Sequence, residues 1–312
     1  MVLRSLKFLA ALVRGALWVV LGLAMALVLA WGALHWVIVP RIDEFRPRLQ
    51  EMASHALGVP VRIGALEARS NGLVPSITVR DLVLPGAGGQ PGLHVPSAVA
   101  AFSVASLLRG GLEQLVLDGP ELEVRRTGAG RWQVAGFDLT GDPQADTQAA
   151  DWVFSQPELV VRGGSVRWVD ELRGGEPVTL GDVLIVVRNG LRHHQLRLDA
   201  TPPTDLGDRF MLRGQFRRSL LERHAGAWKT WDGTLYADLP RLDVARLPVY
   251  LRPAQDLGLQ EGAELRQGSA ALRLWADVAR GAPTRVLGDL AAGDVNALLG
   301  TGLEPLTLKS LA

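Results

Sequence analysis

The chain has 312 residues, 48% of them hydrophobic and 21% charged, with 33 Lys+Arg against 32 Asp+Glu and no Cys. That composition excludes a disordered chain, and the balanced charge excludes the basic field that recruits nucleic acid. Without a thiol there is no disulfide framework, zinc-thiolate site or thiol nucleophile.

Residues 1–14 carry Arg4, Lys7 and Arg14 and no acid. Residues 15–39, GALWVVLGLAMALVLAWGALHWVIV, hold no charge beyond a titratable His35. As a helix this run spans roughly 37 Å, enough for a hydrocarbon core of about 30 Å. Trp18 near one end and Trp31 and Trp36 near the other suit the two interfaces. A cleaved signal peptide would have a shorter apolar core and a small-x-small site after it. Here bulky residues follow the small ones, so the run reads as an uncleaved transmembrane helix. The positive-inside rule places residues 1–14 in the cytoplasm and the chain after about residue 40 outside it.

Residues 43–57, DEFRPRLQEMASHAL, predict an amphipathic helix. Phe45, Leu49, Met52, Ala53, Ala56 and Leu57 recur at spacings of three and four. Pro47 belongs in the first turn, where its missing N–H costs nothing, so the helix starts near Arg46. Gly58 and Pro60 then end it. Such a helix either packs on the first strands or plugs the end of a sheet at the membrane surface.

From residue 59 the text turns to short, half-apolar strands between Gly, Pro, Asp and Asn. Residues 59–139 and 152–312 form two parts of one β region. TGDPQADTQAAD at 140–151 lacks large apolar residues and reads as a flexible loop. SVASLLRGGL (103–112) and LDVARLPVYL (242–251) read as short helical turns. Asp118-Gly119-Pro120, Gly163-Gly164 and Asn189-Gly190 are expected as tight turns between strands. With no long helix between strands, the expected fold is mainly β: an antiparallel meander. It either closes as a packed sandwich or stays open as a groove. In ITVRDLVL (77–84) the apolar residues change parity, Ile77 and Val79 being odd, Leu82 and Leu84 even. A bulge or bend at Arg80-Asp81 would keep one face apolar.

Inward-facing positions on this reading are Ile77, Val79, Leu82, Leu84, Leu115, Leu117, Leu122, Val124, Val166, Trp168, Leu184, Val186, Leu196 and Leu198. Each serves equally as an ordinary core residue. His193-His194 is a poor metal pair, because neighbours on a strand face opposite sides; it reads as solvated. Nothing in the sequence orients Asp151, Asp170 and Glu171 for hydrolysis, and no catalytic motif with defined mechanics is present. The RRSLLER run (217–223) reads as a solvated face that could also touch anionic headgroups.

The order and spacing of ALGVPVRIGALEAR, PSITVRDLVL, GPELEVRR, GRWQVAGFDL, LVVRGGSVRW, RNGLRHHQLRLDATPP, GDRFMLRGQFRR and WDGTLYADLP resemble the N-terminal part of the YhdP branch of the AsmA-like family. No single motif is decisive, but the resemblance runs over essentially the whole chain, anchor included. It implies a Gram-negative inner-membrane protein with one N-terminal helix and a periplasmic β-groove with an apolar interior. It also implies a role in phospholipid transport between inner and outer membranes and in the outer-membrane permeability barrier. Members of this branch run to well over a thousand residues, so the chain is expected to be an N-terminal part or a truncated product. At about 4.8 Å per strand its sheet reaches roughly 60 to 80 Å. Expected partners are phospholipid and the inner membrane. No cofactor and no catalysis are expected. The alternatives are an anchored scaffold or assembly factor that binds outer-membrane or envelope proteins at strand edges, and an anchored hydrolase with a convergent polar site.

Overall fold

The computed structural model describes residues 43–311 except 58–59, 72–73, 87–91, 104–105, 107–110, 136, 139–149, 220–221, 223, 244, 246–263 and 299–305, with positions 17–22, 25, 29 and 32 before them. Residues 17–22 are helical, but the predicted 15–39 run lies largely outside the described residues. Among those described, no helix is long and apolar enough to cross a membrane. The predicted 140–151 loop and 242–251 turn also lie largely outside them, although residues 150–155 form a short helix, α2.

The amphipathic helix is α1, Arg46–Leu57. After it come fifteen strands in one sheet: β1 Arg62–Asn71, β2 Val74–Leu84, β3 Leu93–Ala101, β4 Gln114–Asp118, β5 Glu121–Arg126, β6 Trp132–Val134, β7 Phe137–Asp138, β8 Glu158–Asp170, β9 Val178–Asn189, β10 His193–Thr201, β11 Phe210–Arg217, β12 Asp232–Asp243, β13 Glu264–Ala279, β14 Ala282–Leu298 and β15 Leu306–Leu311. From β8 to β15 each strand pairs with the next as an antiparallel meander.

The expected all-antiparallel sheet is corrected at one seam. β4 and β5 both run parallel to β8, with Gln114 opposite Glu158 and Glu121 opposite Ser165 at one constant offset. Asp118-Gly119-Pro120 is therefore not a turn between antiparallel strands. It is a bend in one continuous strand path. Gly163-Gly164 likewise lies inside β8, where the register shifts. Of the three expected turns only Asn189-Gly190 reverses the chain, closed by a bond from Gly190 N–H to His193 O at 2.8 Å.

These bends form a single line across the sheet. Asp81, Gly119, Gly163 and Asp182 all have φ between 46° and 63°, the left-handed region that disrupts a regular pleat. Along this line the apolar side advances by three residues instead of two: Ile63 to Leu66, Val79 to Leu82, Val95 to Ala98. The parity change in ITVRDLVL is this crease. Ile77, Val79, Leu82 and Leu84 all pack in one cluster with Val61, Ile63 and Leu66. Gly64 permits the bend, since a Cβ there would stand 2.9 Å from the Asp81 Cβ.

Among the described residues no second sheet covers this one. The chain exposes 20760 Å², where a compact globule of 33.6 kDa exposes about 12,700 Å². The sheet is an open single layer, not a sandwich. Its first edge is closed by α1. Leu49 and Ala53 pack on the Ile63–Leu66 cluster, while polar side chains take the edge groups of β1. Gln50 donates to Ile63 O at 3.2 Å and Arg46 to Gly64 O; Ser54 Oγ accepts from Val61 N–H at 2.8 Å. An edge strand with its groups occupied cannot template further pairing.

Candidate functional site: an apolar track across the sheet

Residues opposite each other in a ladder present their side chains on the same face, so the registers sort every strand. One row reads Ala68, Ile77, Ala100, Leu115, Leu159, Val187, Leu196, Gly214, Leu235, Ala276, Val286. The next row on that face reads Leu66, Val79, Ala98, Leu117, Val161, Ile185, Leu198, Leu212, Ala237, Leu274, Gly288. Neither row contains a polar side chain. Eleven strands at about 4.8 Å make a track of roughly 48 Å.

The opposite face carries ion pairs over its second half, beside one row that runs from Arg197 and Arg213 to Tyr236, Trp275 and Leu287. Glu158 accepts from Arg188 at 2.8 Å and from Gln114 at 2.6 Å, which holds its carboxyl below the usual range. Arg197 grips Asp199 at 2.6 and 3.0 Å and lowers it likewise. Asp277 and Arg285 face each other across β13 and β14.

Twelve of the fourteen predicted positions share the apolar face. Ile77, Val79, Leu115, Leu117, Leu196 and Leu198 lie in the two rows. Leu82 and Leu84 join through the crease, and Leu122, Val124, Val166 and Trp168 continue the face beyond it along β5 and β8. Leu184 and Val186 are corrected. Val186 pairs with Arg197 and Leu184 with Asp199, on the polar face. Ile185 and Val187 take their place on the track. The run VLIVV at 183–187 is apolar at both parities, so alternation there has no phase to read. Leu159, Val161, Leu212, Leu235 and Leu274 also lie on the track and were missed; Leu159-Val160-Val161 and Phe210-Met211-Leu212 are again apolar at both parities.

The track is covered at one end and bare at the other. α1 lies on it at β1 and β2. At β14, Val286 and Leu290 are 58% and 54% exposed. One rim is closed by an aromatic box. Trp231 stacks on His194 with centroids 4.1 Å apart and planes 3° from parallel; Phe154 of α2 meets both rings edge-on. His194 is buried, which corrects its reading as solvated; only His193 faces out. Asn189 donates through Nδ2 to Gln156 O at 2.7 Å, so its Oδ1 accepts from His194 Nδ1 at 2.8 Å. Burial, with Arg218 and His193 nearby, lowers the His194 pKa to about 4 and keeps the ring neutral.

Asp151 and Asp170 lie at opposite ends of the strands. Burial pushes the Asp151 carboxyl up, but bonds from Gly226 N–H at 2.6 Å and His224 at 2.7 Å outweigh it and hold it low. This pins α2 to the segment before β12. Among the described residues no group of three or more His, Asp or Glu converges as a metal site.

The YhdP protein family model matches residues 1–312. No curated protein and no solved structure matches the chain. The chain belongs to the YhdP family.

Proposed function

We propose that this chain is the membrane-proximal part of a phospholipid conduit between the inner and outer membranes of a Gram-negative envelope. One N-terminal helix anchors it in the inner membrane with residues 1–14 in the cytoplasm, and the sheet stands in the periplasm. The observation that carries this reading is the pair of uninterrupted apolar rows on a single-layered sheet. A face so apolar over roughly 48 Å would ordinarily be buried by a second layer. Here it is available to acyl chains.

The physics needs no covalent step. Moving a methylene from a bilayer into water costs about 0.8 kcal/mol, so a phospholipid leaves a membrane slowly. Val, Leu and Ile on the track replace the bilayer core for the tails while the headgroup stays in water at a rim. The track lowers a desolvation barrier. A passive track equilibrates, so direction comes from elsewhere.

Photo-crosslinking of the full chain in cells tests this. Probes at Leu117, Leu198 and Leu212 should capture phospholipid; probes at Val116 and Gln195 on the opposite face should not. Absence of lipid adducts at all five, with protein adducts along strand edges, would replace the conduit by a scaffold for envelope proteins.

A further inference from the structure

Beyond the crease the apolar face changes polarity in steps toward one rim. Leu122 pairs with Val166, Val124 with Trp168, and Arg126 with Asp170. Trp132 of β6 lies opposite Arg126 and meets Trp168 with centroids 5.0 Å apart. The Arg126 guanidinium sits 5.7 Å from the Trp132 centroid. Arg126 and Arg173 each approach the same Asp170 oxygen at 3.8 Å, too far for a hydrogen bond. Arg126 Nε and Asp170 Oδ2 have no hydrogen-bond partner. Asp170 is buried, whereas a quarter of the Arg126 side chain reaches solvent.

This arrangement is unusual for a purely structural ion pair, which closes to bidentate bonds when geometry allows. Arg162 and Asp118 on the opposite face do close in that way. Arg126 instead lies over the Trp132 ring, and its buried Nε has no hydrogen-bond partner. A guanidinium that is a quarter exposed and only loosely paired fits a phosphate. The two tryptophans beside it match the layer between acyl chains and headgroups. From Leu122 to Arg126 the strand rises about 13 Å, so tails on the crease would bring a headgroup to the rim.

We propose that Arg126, flanked by Arg173, Trp132 and Trp168, seats the phosphate of a diacyl phospholipid whose tails lie on the apolar face. This rests on the conduit reading and adds to it a fixed headgroup position. The test uses the full chain in detergent with a photo-reactive residue at Val134, which faces Val124, and a second probe at Leu198. Each is offered a diacyl phosphoglyceride and a diacylglycerol with the same acyl chains. At Val134 the phosphorylated lipid should be preferred about tenfold, the size of a hydrogen bond to a charged group. Arg126→Lys should keep most of that preference and Arg126→Gln should reduce it to about twofold, with labelling at Leu198 unchanged in both. A preference that survives Arg126→Gln overturns the seat and leaves the track intact. No adduct at either probe in the unmodified chain overturns the track and the seat together. Loss of the preference on adding inorganic phosphate at no more than the lipid's own concentration would show that the tails add nothing there, make this a free-anion site and overturn the lipid assignment.

Discussion

Placing a carboxylate on the track at Leu198 isolates the proposed activity from the fold. Leu198 lies between Ile185 and Leu212 in the second apolar row and is half-buried. Losing half of a leucine's burial costs the fold about 1 kcal/mol, and on an open face the new carboxylate keeps its water. A passing acyl chain cannot share that water. An ionised Asp denies it about three methylene contacts, about 2.4 kcal/mol at 0.8 per methylene, or roughly fiftyfold in local occupancy. A probe at Leu212 should therefore lose nearly all lipid adduct in Leu198→Asp. Gln195→Asp, three residues away on the opposite face, should leave it unchanged. The reasoning fails if the two variants behave alike, or if Leu198→Asp labels normally while its circular dichroism matches the parent.

Three further outcomes follow from the geometry. Asp81 holds φ 50°, so Asp81→Gly should be neutral or slightly stabilising, whereas Asp81→Val should cost about 2 kcal/mol in chemical denaturation. Trp231, 4% exposed in the aromatic box, should cost about 3–5 kcal/mol when replaced by Ala, read in the same way. His194 titrates near 4 in the fold against 6.5 in an unfolded chain; because the fold favours the neutral ring, its contribution is complete above 6.5 and is lost as pH falls toward 4. That loss is about 3 kcal/mol, and His194→Phe should flatten the stability profile over this window.

Much of the face assignment was legible because strands with one apolar parity announce their phase. LEQLVLD and HHQLRLD placed Leu115, Leu117, Leu196 and Leu198 correctly. Where both parities are apolar, as at 183–187, the pattern is silent, and Asp182 at φ 46° moves the phase again. The glycine-containing bends were visible as breaks but not as what kind of break. Asp-Gly-Pro and Gly-Gly read as hairpins, because a local sequence does not say whether the chain reverses or merely kinks. The parallel seam was hidden for a related reason: β4 ends at Asp118 and β8 begins at Glu158, with three other strands between them in the chain.

The sequence by itself determined the elements: a helix from Arg46, strands with one greasy side, a bend at Asp81, a mainly β class and a family. These depend on local periodicity and backbone sterics, which a dozen residues carry. Only the tertiary structure decided that the strands form one open layer, that their bends align into a single crease, and that Arg126 meets Trp132 and Asp170. Register is a property of pairs of strands, and an apolar row across eleven of them exists only once every pair has been fixed.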